Sequence, residues 1–163
     1  MPGVLTGCAG EHFVAYRLSA MRYLVALTRG GSPSVDLMAW TLDGNKSVAI
    51  QVKTAERAFK PATKKNPGYW EWIIGSKKPL RGESIFYAFV DLKVGTGEPP
   101  EVFIVPADVV ATHLIGFPRK EPEKFWFVGE EEDKEKWRER WDLIEEALGT
   151  STGGGSEHPI PNP

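Results

Sequence analysis

Between residues 35 and 54, apolar and polar positions alternate in two runs separated by turn formers. The first run is Val35-Asp36-Leu37-Met38-Ala39-Trp40-Thr41-Leu42 and the second Ser47-Val48-Ala49-Ile50-Gln51-Val52-Lys53-Thr54, with Asp43-Gly44-Asn45-Lys46 between them. Period-two alternation around an Asp-Gly-Asn turn predicts a β-hairpin. Val35, Leu37, Ala39, Val48, Ile50 and Val52 fall on one face, which is the predicted core. The turn leaves the register open. Gly44-Asn45 as a two-residue loop sets Asp36 opposite Lys53, whereas Asp43-Gly44 sets Asp36 opposite Gln51. Both put Asp36, Gln51 and Lys53 on the second face, and a three-residue loop scatters them. Met38, Trp40 and Ala49 share that face, so it is expected to be half-covered. A lysine and an aspartate there cost desolvation unless they pair or bind something. The competing explanation is a cross-strand Asp–Lys ion pair of little energetic weight.

Elsewhere, Val14, Leu18, Met21 and Val25 form one stripe and predict an amphipathic helix over residues 10–28, ended by Gly30-Gly31-Ser32-Pro33. Glu11 then falls in the first helical turn, where a carboxylate suits the helix dipole. Residues 60–68 are a breaker-rich loop. Tyr69–Ile74 alternates like a strand, residues 75–82 read as a turn or very short helix, and Ile85–Val90 is a continuous apolar run expected of a strand covered on both faces. Glu101–Val105 predicts another strand, and Pro106 opens a helix reaching Leu114. Residues 118–132 are expected to be irregular. Asp133–Leu148 fits a final helix, whose Trp137, Trp141, Ile144 and Leu148 recur at helical spacing, with the tryptophans as core. The predicted architecture is α/β (α+β), a central mixed sheet flanked by helices, with residues 1–148 as one domain. The tail, residues 149–163, is rich in Gly, Ser, Pro and Thr and is expected to be disordered.

Length adds a bound: 163 residues and 18.1 kDa suffice for one full core and hardly for two. No apolar run approaches the roughly 18 residues that span a bilayer, so no membrane partner is expected. The start of the chain lacks the pattern of a secretory signal, and one cysteine, Cys8, cannot form an internal disulfide. A cytoplasmic location is the expectation. His12, His113 and His158 show no ligand spacing with cysteine, which argues against structural zinc. Cys8 and His12 also lack a strand-to-helix nucleophile setting. Net charge is only −2, but its distribution is uneven. Residues 53–81 hold eight basic side chains against two acidic ones, while residues 82–163 hold eight against seventeen. Arg57, Lys60, Lys64, Lys65, Lys77, Lys78 and Arg81, following Lys53, are candidates for gripping phosphates. A solvated lysine-rich loop is the alternative. Tyr69, Trp70 and Trp72 are candidates for base stacking, with packing the favoured role.

A helix carrying an early glutamate (Glu11), a strand with Asp36 and a strand ending in Gln51-Val52-Lys53 resembles the PD-(D/E)XK nuclease superfamily, in the Gln-X-Lys variant of Mrr-like members. The likeness covers residues 7–55 well and the later strands less specifically. It implies a restriction endonuclease-like core and a divalent-metal-dependent nuclease acting on phosphodiester bonds, with DNA as the expected substrate. Glu11, Asp36, Gln51 and Lys53 would be the catalytic residues. Asp36, Gln51 and Glu11 would supply oxygen ligands to Mg²⁺ or Mn²⁺. Lys53 would orient the attacking water or offset charge on the phosphorus centre. Homodimers are expected where such domains cut two strands. Two positions depart from the family pattern. Val35 rather than proline precedes Asp36, which touches backbone shape alone. Gln51 replaces an acidic residue, removing one negative charge from the metal site and leaving open a catalytically degenerate nucleic-acid-binding or interaction domain.

Overall fold

The computed structural model describes residues 3–28, 35–65, 67–75, 79–116, 123–128 and 135–150. In chain order they form helix α1 (Gly3–Ala20), strands β1 (Leu24–Leu27), β2 (Leu37–Trp40), β3 (Ser47–Ala55), β4 (Phe59–Lys60), β5 (Tyr69–Gly75), β6 (Ile85–Asp91) and β7 (Glu101–Pro106), helix α2 (Ala107–Gly116), strand β8 (Glu123–Val128) and helix α3 (Asp142–Leu148). Five strands make a sheet in the order β1-β2-β3-β6-β7, and β4-β5-β8 make a second. Only the β3–β6 pairing of the large sheet is parallel, so that sheet is mixed, as its sequence pattern predicted.

Alternation along the large sheet divides the interior into two cores. Leu37, Ile50, Val52, Phe86, Ala88 and Ile104 face Val14 and Leu18 of α1 and Ile144 and Leu148 of α3. Tyr87, Phe89, Phe103 and Val105 face the other way, against Trp70 and Trp72 of β5 and Val110 and Leu114 of α2. Every described residue of β6 after Ile85 is buried, the signature of a strand covered on both faces. The Trp72 indole is satisfied there by donating to the Val90 carbonyl at 2.9 Å.

The hairpin pairs Leu37 with Ile50 and Trp40 with Ser47, which is the register that sets Asp36 opposite Gln51. Its turn is wider than either two-residue loop considered above: Thr41 donates to the Lys46 carbonyl at 3.1 Å, and Asp43 ties down the bend by accepting from Asn45. Both tight turn and wide one contain an even number of residues, so the faces are the same.

Three expectations from sequence need correction. The first helix spans Gly3–Ala20, not residues 10–28, and Leu24–Leu27 is a strand. Glu11 therefore lies in mid-helix and gains nothing from the first-turn dipole. The stop after Ala20 is a Schellman motif: Tyr23 N–H bonds the Leu18 carbonyl at 3.1 Å, Arg22 N–H bonds the Ser19 carbonyl at 3.0 Å, and Arg22 sits at φ 66°. Glycine normally fills that left-handed position, and arginine there disguises the helix end. The second correction is β8, Glu123–Val128, within a segment expected to be irregular; it pairs antiparallel with β5. Third, the helix expected over 133–148 is broken. Residues 135–137 form one turn, Arg138 bridges to Phe103 on the β7 edge, Glu139 has φ 52°, and α3 begins only at Asp142. Trp141 is buried in the first core and Trp137 is half-buried against the second. Residues 151–163 and most of 75–82 lie outside the described residues or in plain coil.

Replacing Arg22 by glycine relieves a left-handed penalty of about 1–2 kcal/mol against the added unfolded-chain freedom of glycine. Arg22→Gly is expected to raise the unfolding free energy by up to about 1 kcal/mol in a denaturant titration. A loss of stability would contradict the motif.

Candidate active site

The site is built where β2 stops and β3 runs on. Beyond Leu37, no strand of the hairpin continues to cover the edge of β3 at Val52. The Asp36 carboxylate fills that gap: Oδ2 accepts the Val52 backbone N–H at 2.8 Å and also a hydrogen bond from the Gln51 side-chain amide. Asp36 is held at its backbone too, donating its N–H to the Ile50 carbonyl at 2.9 Å, while its own carbonyl accepts the Thr28 N–H at 2.9 Å. Asp36 is therefore tied to two segments of chain, β3 through its carboxylate and N–H and Thr28 through its carbonyl.

Gln51 and Lys53 lie beside Tyr87 and Phe89 in the parallel β3–β6 register. Cross-strand neighbours share a face, so the two polar side chains point to the side of the second core. All three residues of the trio are half-buried, as is Glu11. The expected half-covered polar face is thus what the chain forms.

α1 packs closely on β3 from the side of the first core, and Glu11 lies near enough to feel the Asp36 charge. It shares the sheet-facing stripe of α1 with Val14 and Leu18. Gly10, buried, abuts Thr54. A Cβ at position 10 would lie 2.8 Å from Thr54 Cγ2 and 2.9 Å from its Cβ, and closer still to Oγ1. Only glycine permits this approach, one residue before Glu11 and one residue after Lys53. Sequence reasoning overlooked Gly10, although an isolated glycine within a helical pattern is the signal for such a contact.

Burial raises the Glu11 carboxyl above its ordinary value of 4.5, and the nearby Asp36 charge raises it further, with His12 pulling weakly the other way. Two carboxylates from elements far apart in sequence are thus held near one another in a partly dry place. Among the described residues, no three His, Cys, Asp or Glu side chains converge closely enough to hold a metal ion. For a metal here, a third oxygen would come from the Gln51 amide. Its nitrogen faces Asp36 here, and the broad, roughly two-fold terminal torsion of a glutamine lets the same side chain present Oε1 instead. Two carboxylates and an amide oxygen are a donor set suited to a hard divalent cation.

The basic run is not gathered into one patch. Arg57 and Lys60 follow β3 at its C-terminal end, where Arg57 Nε donates to the Val94 carbonyl at 2.8 Å and Lys60 Nζ to the Arg57 carbonyl at 3.2 Å. Lys64 and Lys65 are exposed on the loop beyond them. Arg81 lies before β6, at the opposite end of that strand, 3.5 Å from Asp108. Lys77 and Lys78 fall outside the described residues. Trp70 and Trp72 are buried, as packing residues are, and Tyr69 is half-buried. Cys8 and His12 are exposed on α1, where His12 Nδ1 lies 2.8 Å from the Cys8 carbonyl oxygen and 3.6 Å from Cys8 Sγ.

No family model and no curated protein sequence matches this chain. Its fold is similar to that of a solved bacterial homing endonuclease, I-Ssp6803I, with a TM-score of 0.60 and 17% identity over 95% of this chain and 100% of that one. At that identity the likeness concerns the fold, and it agrees with the mixed sheet flanked by helices described above. The fold is endonuclease-like.

Two outcomes follow from the geometry. Alanine at position 10 gains about 1 kcal/mol of helix propensity but overpacks against Thr54, which costs about 1–3 kcal/mol. Gly10→Ala is expected to be destabilising, and Thr54→Ala to restore part of the loss, since Thr54 Oγ1 has no hydrogen-bond partner among the described residues. Equal stability of Gly10→Ala and the parent in thermal unfolding would refute the close contact. The second outcome concerns pH. A carboxyl whose folded pKa is raised stabilises the fold fully below the unfolded value near 4.5 and loses that contribution as pH rises through the folded value. Glu11→Gln should therefore gain in melting temperature over the parent as pH goes from about 4 to about 8 in EDTA. A difference independent of pH would rule out the crowding of Glu11 and Asp36.

Proposed function

We propose that this chain is a divalent-metal-dependent nuclease of the PD-(D/E)XK superfamily that hydrolyses phosphodiester bonds, with DNA as substrate and with Glu11, Asp36, Gln51 and Lys53 as its catalytic group. The observation that carries the proposal is that Asp36, Gln51 and Lys53 gather half-buried at the strand fork, with the Glu11 carboxyl near enough for the Asp36 charge to raise it. Asp36 has a structural partner in the Val52 N–H, whereas the second carboxyl near it adds repulsion. Such an arrangement is what a cation-binding site needs before the cation arrives. The endonuclease-like fold and the Gln-X-Lys pattern support the same reading.

A Mg²⁺ or Mn²⁺ ion held by Asp36, Glu11 and the Gln51 amide oxygen would lower the pKa of a bound water and neutralise charge building on the phosphate. The chain's own residues prepare the rest. Val52 N–H holds one oxygen of Asp36, so the other keeps a fixed direction. Lys53 is a compact point charge on the same strand, suited to holding a non-bridging phosphate oxygen as negative charge grows on it. Arg57, Lys60, Lys64 and Lys65 extend from the C-terminal end of β3 and would track the backbone of the nucleic acid, giving affinity that falls steeply with salt. Cutting both strands of a duplex would call for a second copy of the chain.

With Mg²⁺ or Mn²⁺ the purified protein is expected to cleave plasmid DNA. Asp36→Ala and Lys53→Ala should each lower the rate by on the order of 10³, and EDTA should abolish it. If every DNA and RNA form tested stays intact in both metals while salt-sensitive, EDTA-insensitive binding persists through Lys64 and Lys65, the chain is a degenerate binding domain and the nuclease assignment fails.

A further inference from the structure

We propose that the cavity between β4, β5 and the β6–β7 turn is a pocket for one unpaired nucleobase, guanine above the others, next to the phosphate held at Lys53; this rests on the nuclease function proposed above. The cavity measures about 500 Å³, a size typical of sites for small organic groups. One wall is aromatic. The rings of Phe59 and Trp70 lie 4.5 Å apart at 47°, and Phe59 is 42% exposed on its two-residue strand, an unusual position for a large apolar ring. A stacking base would cover it.

A polar wall adjoining Phe59 carries Asp91, which is 2% exposed yet lines the cavity. Its Oδ1 accepts the Lys93 N–H at 3.1 Å and its Oδ2 the Phe59 N–H at 3.3 Å, so both oxygens are fixed in direction and each keeps further accepting capacity. Glu101, on the same wall, is instead engaged by Lys93 at 3.3 Å and by Arg138 at 2.6 Å. A phosphate would be repelled by these carboxylates. A neutral base with N–H donors would not. Guanine offers N1–H and N2–H side by side to one carboxylate, whereas thymine presents two carbonyl oxygens flanking a single N–H. At the rim, Arg57 is oriented through its Nε alone, and among the described residues its terminal nitrogens carry no hydrogen bond or ion pair, which suits the phosphate of the inserted nucleotide.

The position agrees with that role. Asp91 is the register partner of Ala55, two residues beyond Lys53 on the same face of β3. Two strand residues span about 7 Å, so the nucleotide adjoining a phosphate at Lys53 can reach the pocket.

The test measures binding of the full chain, in EDTA, to short DNA duplexes with one unpaired guanine, one unpaired thymine, one abasic site or no defect. The parent protein is expected to bind the guanine duplex at least about fivefold more tightly than the abasic one, and Phe59→Ala to lose that difference. Asp91→Asn should lower the guanine-over-thymine ratio even where it alters overall affinity. Equal binding of guanine and abasic duplexes by the parent, or a Phe59→Ala loss of the same factor on both, overturns the pocket and leaves the nuclease assignment standing. Failure to bind any duplex overturns both.

Discussion

The hydrogen bond from the Val52 backbone N–H to Asp36 is the constraint around which the site is arranged. It exists because β2 is shorter than β3. Where the hairpin partner ends, β3 keeps an edge donor that burial makes expensive to leave unmet. Asp36 meets it from the side, and so stands at the fork rather than within the ladder. Gln51 and Lys53 then fall on the same face by alternation alone, one beside Tyr87 and the other beside Phe89. A slip of one residue would turn Gln51 and Lys53 away from Asp36 toward the first core and take Ile50 and Val52 out of it. The apolar pattern that builds the core is therefore also what holds the polar trio in place.

The same strand sets the approach of α1. Gly10 against Thr54 is a backbone-to-side-chain contact with no Cβ between them. Other charges of the molecule are treated differently. Glu139 accepts from Arg17 at 2.6 Å and from the Trp141 indole at 2.9 Å, while that guanidinium lies 5.1 Å from the Trp141 ring. Glu101 is shared by Lys93 and Arg138. In both places a buried or half-buried carboxylate is matched by cations, which is the ordinary condition for keeping it ionised. At the fork, by contrast, burial and Asp36 together push the Glu11 carboxyl upward. A half-buried carboxyl raised by a second one close by is the kind of perturbed group that tends to cluster at functional sites.

How much of this could be read from sequence depended on whether the deciding contact was local. The hairpin faces survived even a wrong guess at the turn, because loops of two and of four residues preserve parity. The two helix ends make the contrast plain. α3 and α1 stop with the same hydrogen-bonding motif, but α3 has Gly149 at φ 67° in the left-handed position and α1 has Arg22 at φ 66°. The first is legible and the second is not. Likewise, nothing between residues 133 and 148 breaks a helix by composition. The break comes from the exposed edge of β7, which recruits Arg138 and accepts the Glu139 N–H at the Val102 carbonyl. β8 was missed because its aromatic run is flanked by charges and turn formers, and its partner β5 lies some fifty residues earlier. Asp36, Gln51 and Lys53 were found because they sit on one hairpin; Gly10 was missed because its reason lies on another element.

Gln51 is the position at which the chain departs most from an all-carboxylate site, and the surrounding charges give a physical reason for it. Asp36 already accepts two hydrogen bonds with one oxygen, and Glu11 is already raised by burial and by Asp36. A third carboxylate on the same half-buried fork would add repulsion from two neighbours at once. An amide contributes an oxygen without charge, and through its other face it donates to Asp36 and stabilises the ionised form. In the proposed metal site the loss of one ligand charge on β3 would be offset by Glu11 of α1 as the second carboxylate. Glutamine at 51 thus limits repulsion at the fork, while glycine at 10 lets α1 pack closely against Thr54 of β3.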